Sequence, residues 1–288
     1  MAPSPRSLIL DLLSTLRRGA MPVRALVEAG ALFGLEGNSV RVALARLLAA
    51  GRVERDERGR YRLAPGAAAV AAAVAGWRRL PERLRPWDGG WIGVAVPAAT
   101  GRRGQPGAAE QALRLLGFRG LASGLELRPD NLVGGVAGVR AALAALGLPA
   151  ERPVFGLREL DPASEARARE LWDAPALLAG YRATRRALER SEARLPRLSR
   201  ERAMVESFRV GGEAIRRLAR DPLLPAPIVP AAERETLVAA MRRYDALGRS
   251  CWAPFLAEHG VPHRHAPVDL RAFDAPTGLT PAATGGIA

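Results

Sequence analysis

The chain has no lysine; all 43 of its basic residues are arginine. Alanine, glycine and proline are abundant instead. A GC-rich genome produces that pattern, so part of the formal charge of +14 is codon usage rather than function. There is one cysteine, Cys251, which excludes an intrachain disulfide and fits a cytoplasmic setting. Standing alone, it reads as a small buried apolar residue rather than a nucleophile. No Ser sits in a G-x-S-x-G elbow. No apolar run approaches the ~20 residues needed to span a bilayer. Leu8 to Leu16 is broken by Asp11 and Ser14, which is not a signal-peptide core. The expectation is a soluble cytoplasmic protein with no membrane partner.

The distribution of charge says more than its total. Residues 1–66 carry 11 Arg against 6 acidic residues, 67–160 carry 12 against 7, and 161–288 carry 20 against 16. The positive excess per residue is densest at the N-terminal end, as expected of a DNA-contacting module with less basic regions behind it.

In that region the stretch from Asn38 to Leu63 organises the reading. Asn38 or Ser39 would cap a helix, and Val40, Ala43, Leu44, Leu47 and Leu48 form an apolar stripe at a period of 3.6. Gly51 suits the C-terminal cap. The opposite face carries Asn38, Val42, Ala45 and Arg46, with Ser39 and Arg41 on its flanks. Arginine can donate two hydrogen bonds to guanine O6 and N7, and Val42 could touch a thymine methyl, so this face suits a major groove. A hairpin follows: Val53 and Arg55 alternate, as do Tyr61 and Leu63, around the turn Asp56-Glu57-Arg58-Gly59. Arg58, Arg60 and Arg62 lie at or just past that turn, where they could position the protein on a phosphate backbone.

Before this stretch, Ser7–Arg17 and Pro22–Phe33 read as helices. Three helices and a hairpin in about 60 residues predict a winged helix-turn-helix. After it, 67–90 reads as a helical linker broken by Pro81 and Pro86. Trp91–Pro97, Ala122–Arg128 and Pro153–Leu160 read as strands, with helices over Ala108–Phe118 and Val136–Leu146 between them. That alternation predicts a ferredoxin-like α+β sandwich. From Ser164 the chain reads as helix: Ser164–Leu195 in one or two segments, Arg200–Ala219, and Ala232–Leu256. The expected fold class is multidomain α+β: winged helix 1–66, linker 67–90, ferredoxin-like middle domain 91–162, mostly helical C-terminal domain 163–265 and a flexible tail 266–288.

The chain resembles the PaaX family of bacterial transcriptional regulators. The residues that carry the resemblance are VRVALARL (Val40–Leu47), the Trp-led strand WIGVAVP, and GFRGLASGLELRPDNL (Gly117–Leu132). LWD (Leu171–Asp173) with Tyr181, and the Asp221–Pro225 turn DPLLP, add to it. These occur in the family's order from about Ser7 to Phe255. The resemblance implies a homodimeric repressor with a winged-helix head, a middle domain like a small CRISPR-associated ferredoxin-like nuclease, and a helical C-terminal domain. It implies a palindromic double-stranded DNA operator, no cofactor, no catalysis, and a small-molecule effector such as phenylacetyl-CoA or another acyl-CoA. Arg41 and Arg46 fall on the motif's two arginines and are carried over as DNA-facing; no effector-binding residue is carried over.

Three other readings compete. A metal-dependent nuclease needs carboxylates to hold the ion, and the strand WIGVAVP has none; Asp88 lies upstream. A metal-responsive regulator could use His259, His263 and His265, although Pro262 keeps them off a single helix face. An interaction protein could use the winged helix for protein contacts alone.

Overall fold

A computed structural model describes residues 3–16, 19–96, 108–149 and 151–262. The chain divides into two compact units. The first joins residues 1–62 to 190–208 and 244–288; the second joins 63–189 to 209–243. The helices beyond residue 162 therefore contribute to both.

The N-terminal part begins with α1 (Pro5–Thr15), whose cap is Ser4: its hydroxyl accepts from the Ser7 N–H, and Pro5 opens the first turn. A two-residue strand, β1 (Met21–Pro22), leads into α2 (Val23–Leu32) and then α3 (Gly37–Ala49). The hairpin is β2 (Val53–Arg55) and β3 (Arg60–Leu63). These strands form one sheet in the order β1-β3-β2, with Met21 opposite Tyr61 and Pro22 opposite Arg60 in antiparallel register. Pro22 has no N–H to donate, which an edge strand tolerates. Leu8, Ile9, Leu12 and Leu13 of α1 are buried with Leu26 of α2 and Val40, Leu44 and Leu47 of α3. The α2–α3 crossing is close. A Cβ on Gly30 would stand 2.7 Å from Val40 Cγ2, and Gly34 turns the chain at a φ of +75°.

The second unit opens with α4 (Pro65–Ala75) and two 3-10 turns, Gly76–Arg79 and Pro81–Arg83. Then come β4 (Trp91–Ala95), α5 (Ala108–Leu115), β5 (Arg119–Ala122), β6 (Leu125–Pro129), α6 (Gly135–Ala145) and β7 (Val154–Leu157). The four strands form an antiparallel sheet in the order β5-β6-β4-β7. What reads in sequence as one strand over Ala122–Arg128 is a hairpin. Ser123 and Gly124, with φ at +82°, turn β5 back onto β6. At the sheet centre Gly93 lies opposite Phe155. A Cβ there would come within 2.5 Å of Leu157 and 2.8 Å of Phe155, so the strand needs glycine to admit both side chains.

Helices α7 (Pro162–Arg169), α8 (Ala174–Arg194), α9 (Arg200–Ala219) and α10 (Ala232–Glu258) complete the chain. Among the described residues, no helix is long and apolar enough to cross a membrane.

In the first unit, α9, α10 and the residues just after α2 and α10 build an aromatic row. Phe33, after α2, meets Phe208 edge-on at 5.2 Å, and the row continues through Trp252 and Phe255 to the His259 ring. The Trp252 indole donates to the Met204 carbonyl at 3.0 Å. Cys251 is buried here, and burial pushes its thiol up, away from the reactive thiolate.

In the second unit, three of the segments singled out in the sequence meet at one buried polar node. The Trp172 indole donates to the Gly117 carbonyl at 3.1 Å, and Gly117, at φ +80°, lies against Pro222. Arg128 donates to the carbonyls of Leu116 and Pro129 and to the Asn131 amide oxygen, and Asn131 donates to the Leu223 carbonyl at 2.7 Å. Nearby, Asp221 accepts from the Leu223 N–H at 2.8 Å and stands 3.9 Å from the Arg234 guanidinium. GFRG, LRPDN, LWD and DPLLP are thus spent on holding this unit together.

Candidate nucleic-acid interface

Helix α3 starts two or three residues before a cap at Asn38 or Ser39 would place it. Gly37 is its first residue and Glu36 its cap, without a side-chain cap bond, so neither Asn38 nor Ser39 caps it. Both stand in the first turn, exposed. The inner stripe is Val40, Leu44 and Leu47, all buried. Leu48, assigned to that stripe by periodicity, is 40% exposed instead. It lies about 100° round the helix from Leu47, beyond the edge of the buried arc.

The opposite face is open to solvent. Asn38, Ser39, Arg41, Val42, Ala45 and Arg46 are all exposed, and Val42, an apolar side chain, is 41% exposed. Among the described residues no hydrogen bond or ion pair engages the guanidinium of Arg41 or Arg46. Two arginines with unspent donors flank an exposed valine and an exposed amide. Such a surface can donate to phosphates or base edges and bury a methyl group.

The three hairpin arginines have different fates. The turn is held by Asp56, whose Oδ1 accepts from the N–H groups of Arg58 (3.0 Å) and Arg60 (2.7 Å), and Gly59 closes it at φ +72°. Arg58 points out at the tip with no side-chain partner among the described residues. Arg62 pairs across the hairpin with Glu54 at 3.0 Å. Arg60 donates to the Gly260 carbonyl at 2.8 Å, just past the end of α10.

A second link joins the same regions. The His259 ring has the Phe255 carbonyl 2.9 Å from Nδ1 and a Glu28 carboxylate oxygen 2.8 Å from Nε2. Both neighbours are hydrogen-bond acceptors. Glu28 also accepts from Arg24 at 2.6 Å, and that contact first, with His259 adding to it, holds its carboxyl below the usual range. Sequence reading missed this clasp, because nothing local marks a pairing across 231 positions.

His259 is thus tied to Glu28 and Phe255; His263 and His265 lie outside the described residues. Asp88 pairs with Arg158 at 2.5 Å and accepts from the Gly90 N–H. Among the described residues no group of three His, Cys, Asp or Glu side chains is placed to hold a metal ion.

Residues 4–66 match the family model of the PaaX-like proteins. The match covers the three helices and the hairpin just described. A solved structure, that of the uncharacterized protein Rv0674 from Mycobacterium tuberculosis, is similar over 85% of this chain and 98% of its own, with 26% identity and a TM-score of 0.53. No curated protein matches the chain. The PaaX-like match covers the part that carries the exposed face of α3.

Proposed function

We propose that this protein is a DNA-binding transcriptional repressor of a catabolic operon, with α3 as the helix that enters the major groove. The carrying observation is the solvent face of α3, with its two unspent arginines, in the segment that matches the PaaX-like family. That family points to transcription regulation of phenylacetic acid catabolism rather than to an enzyme.

In this reading α1–α3 and the β1-β3-β2 sheet are a winged helix-turn-helix, with Arg58 as the wing's phosphate contact. The β4-α5-β5-β6-α6-β7 segment is a ferredoxin-like sandwich, supported by its antiparallel β5-β6-β4-β7 order. The protein acts as a homodimer on a palindromic operator, holding two α3 helices about one DNA turn apart, ~34–36 Å. An effector such as phenylacetyl-CoA or another acyl-CoA releases it. Such a ligand must bind the released state more tightly than the DNA-bound state.

The test is fluorescence anisotropy of the full-length protein on DNA from upstream of its own gene, against a shuffled duplex, at two salt concentrations. The expected result is tight, sequence-selective binding that phenylacetyl-CoA or a related ester abolishes. Equal binding to both duplexes, including duplexes tiled along the neighbouring genes, would overturn the proposal.

A further inference from the structure

Resting on α3 as the DNA-entering helix, we infer that base sequence is read by Asn38, Val42 and Ala45, while Arg41 and Arg46 grip the phosphates on the two walls of the groove. The geometry of the helix separates these jobs. Arg41 and Arg46 are five residues apart, about 140° around a helix of 3.6 residues per turn. Asn38, Val42, Ala45 and Ala49 fall between them in an arc of about 60°, opposite the buried Val40, Leu44 and Leu47.

A helix with its side chains is ~10–12 Å across and the major groove is ~12 Å wide. A seated helix therefore fills the groove. Side chains at the centre of its outer arc face the floor, where the base edges are, and long side chains at the margins face the walls.

The observed conformation of Arg41 agrees. Its Nη1 lies 3.3 Å from where a Cβ on Gly37 would stand, and Val27 of α2 lies 3.1 Å from the same point. The guanidinium therefore runs back over the first turn of α3 beside α2, not across the central arc.

The central arc has its own chemistry. Nothing in it is longer than asparagine, so the helix can approach the floor closely. The Asn38 amide matches adenine N6 and N7, and the methyls of Val42 and Ala45 match the thymine C5-methyl. No central residue is a long donor that would read guanine. The half-site under α3 is therefore expected to hold adjacent A·T pairs recognised through adenine edges and thymine methyls.

The experiment selects duplexes from a random-sequence pool with the full-length protein. Affinities are then measured for the selected duplex, the same duplex with deoxyuridine for thymidine, and a shuffled duplex. Loss of the thymine methyls should weaken wild type about fivefold, the lower end of a base contact. Val42→Ala should bind the thymine duplex more weakly and distinguish it less from the uracil one. Asn38→Ala should lower the ratio of selected to shuffled binding. Arg41→Ala and Arg46→Ala should weaken selected and shuffled duplexes alike, keep that ratio, and each lower the salt slope by about 1. All four side chains are exposed, so equal thermal melts are expected and verify the fold. If either arginine variant collapses the ratio while Val42→Ala and Asn38→Ala keep it, the division of labour is wrong though DNA recognition stands. If no selective duplex emerges, the repressor reading itself fails and this inference falls with it.

Discussion

Arg128 is a charged side chain at 1% exposure, and its three hydrogen-bond acceptors explain how it stays there. Burial, with Arg83 nearby, pushes its guanidinium down from the ordinary value, and the fixed planar fork meets that cost by reaching three oxygens at once. Arg128→Met should destabilise the protein, at about 1–3 kcal/mol for each buried acceptor left without a donor. Arg128→Lys should recover little of that, because a single ammonium cannot span the same acceptors. Denaturant midpoints measure both. Asp221 gives a pH signature. Burial raises its carboxyl above the ordinary aspartate value, so the folded protein keeps a proton that the unfolded chain has lost. Stability from this group therefore falls as pH rises from about 3.9 upward. Asp221→Asn removes that slope. The stability difference between the two proteins should shift toward the variant as pH climbs from 4 to 7 in urea titrations; a constant difference would show that Asp221 stays charged throughout. Neither residue advertises this role in sequence, where arginine and aspartate beside prolines read as turn and surface.

Secondary-structure elements were legible where they carry a period and obscure where they do not. Arg200–Ala219 is placed to the residue, and α3 to within three, because their apolar spacing runs for several turns. The two-residue β1 has no room for alternation, so Met21-Pro22 reads as the approach to a helix. The β5–β6 hairpin hides because Ala122-Ser123-Gly124 contains no Asn-Gly or Asp-Gly pair, and the residues on both sides are equally apolar. The hairpin arginines show the same divide: their presence at a turn is readable, their partners are not. Arg58 and Arg60 should accordingly behave differently. Arg58→Ala should lower the salt slope of DNA binding by about 1, the loss of one phosphate contact. Arg60→Ala should leave that slope unchanged and lower the melting temperature instead, because its donor serves the Gly260 carbonyl. Thermal melts and salt-titrated anisotropy on the pair of variants separate the two roles.

The whole molecule is the scale at which sequence reading stops earliest. Periodicity is local, whereas the first unit gathers residues 1–62, 190–208 and 244–288. The solvent face of α3 is legible, since the exposure of Asn38, Arg41, Val42 and Arg46 follows from one helix wheel. The clasp of Glu28 and Arg60 with His259 and Gly260 was not, because only the folded chain brings them together. At this scale the charge of +14 predicts steep salt dependence. Affinity for a shuffled duplex should collapse between 50 and 200 mM salt, and affinity for the operator should fall with a similar slope from a higher start. The same clasp carries a consequence for synthesis. The head is translated before its partners: the aromatic row that Phe33 joins and the partner of the Arg60 guanidinium are made only at residues 208 to 260. Domains generally fold in the order they are made; these contacts of the head must wait until residue 260 is made. A nascent or prematurely terminated polypeptide would present α3 on an unfinished scaffold. Competence to occupy an operator would then be granted only to chains translated past residue 260.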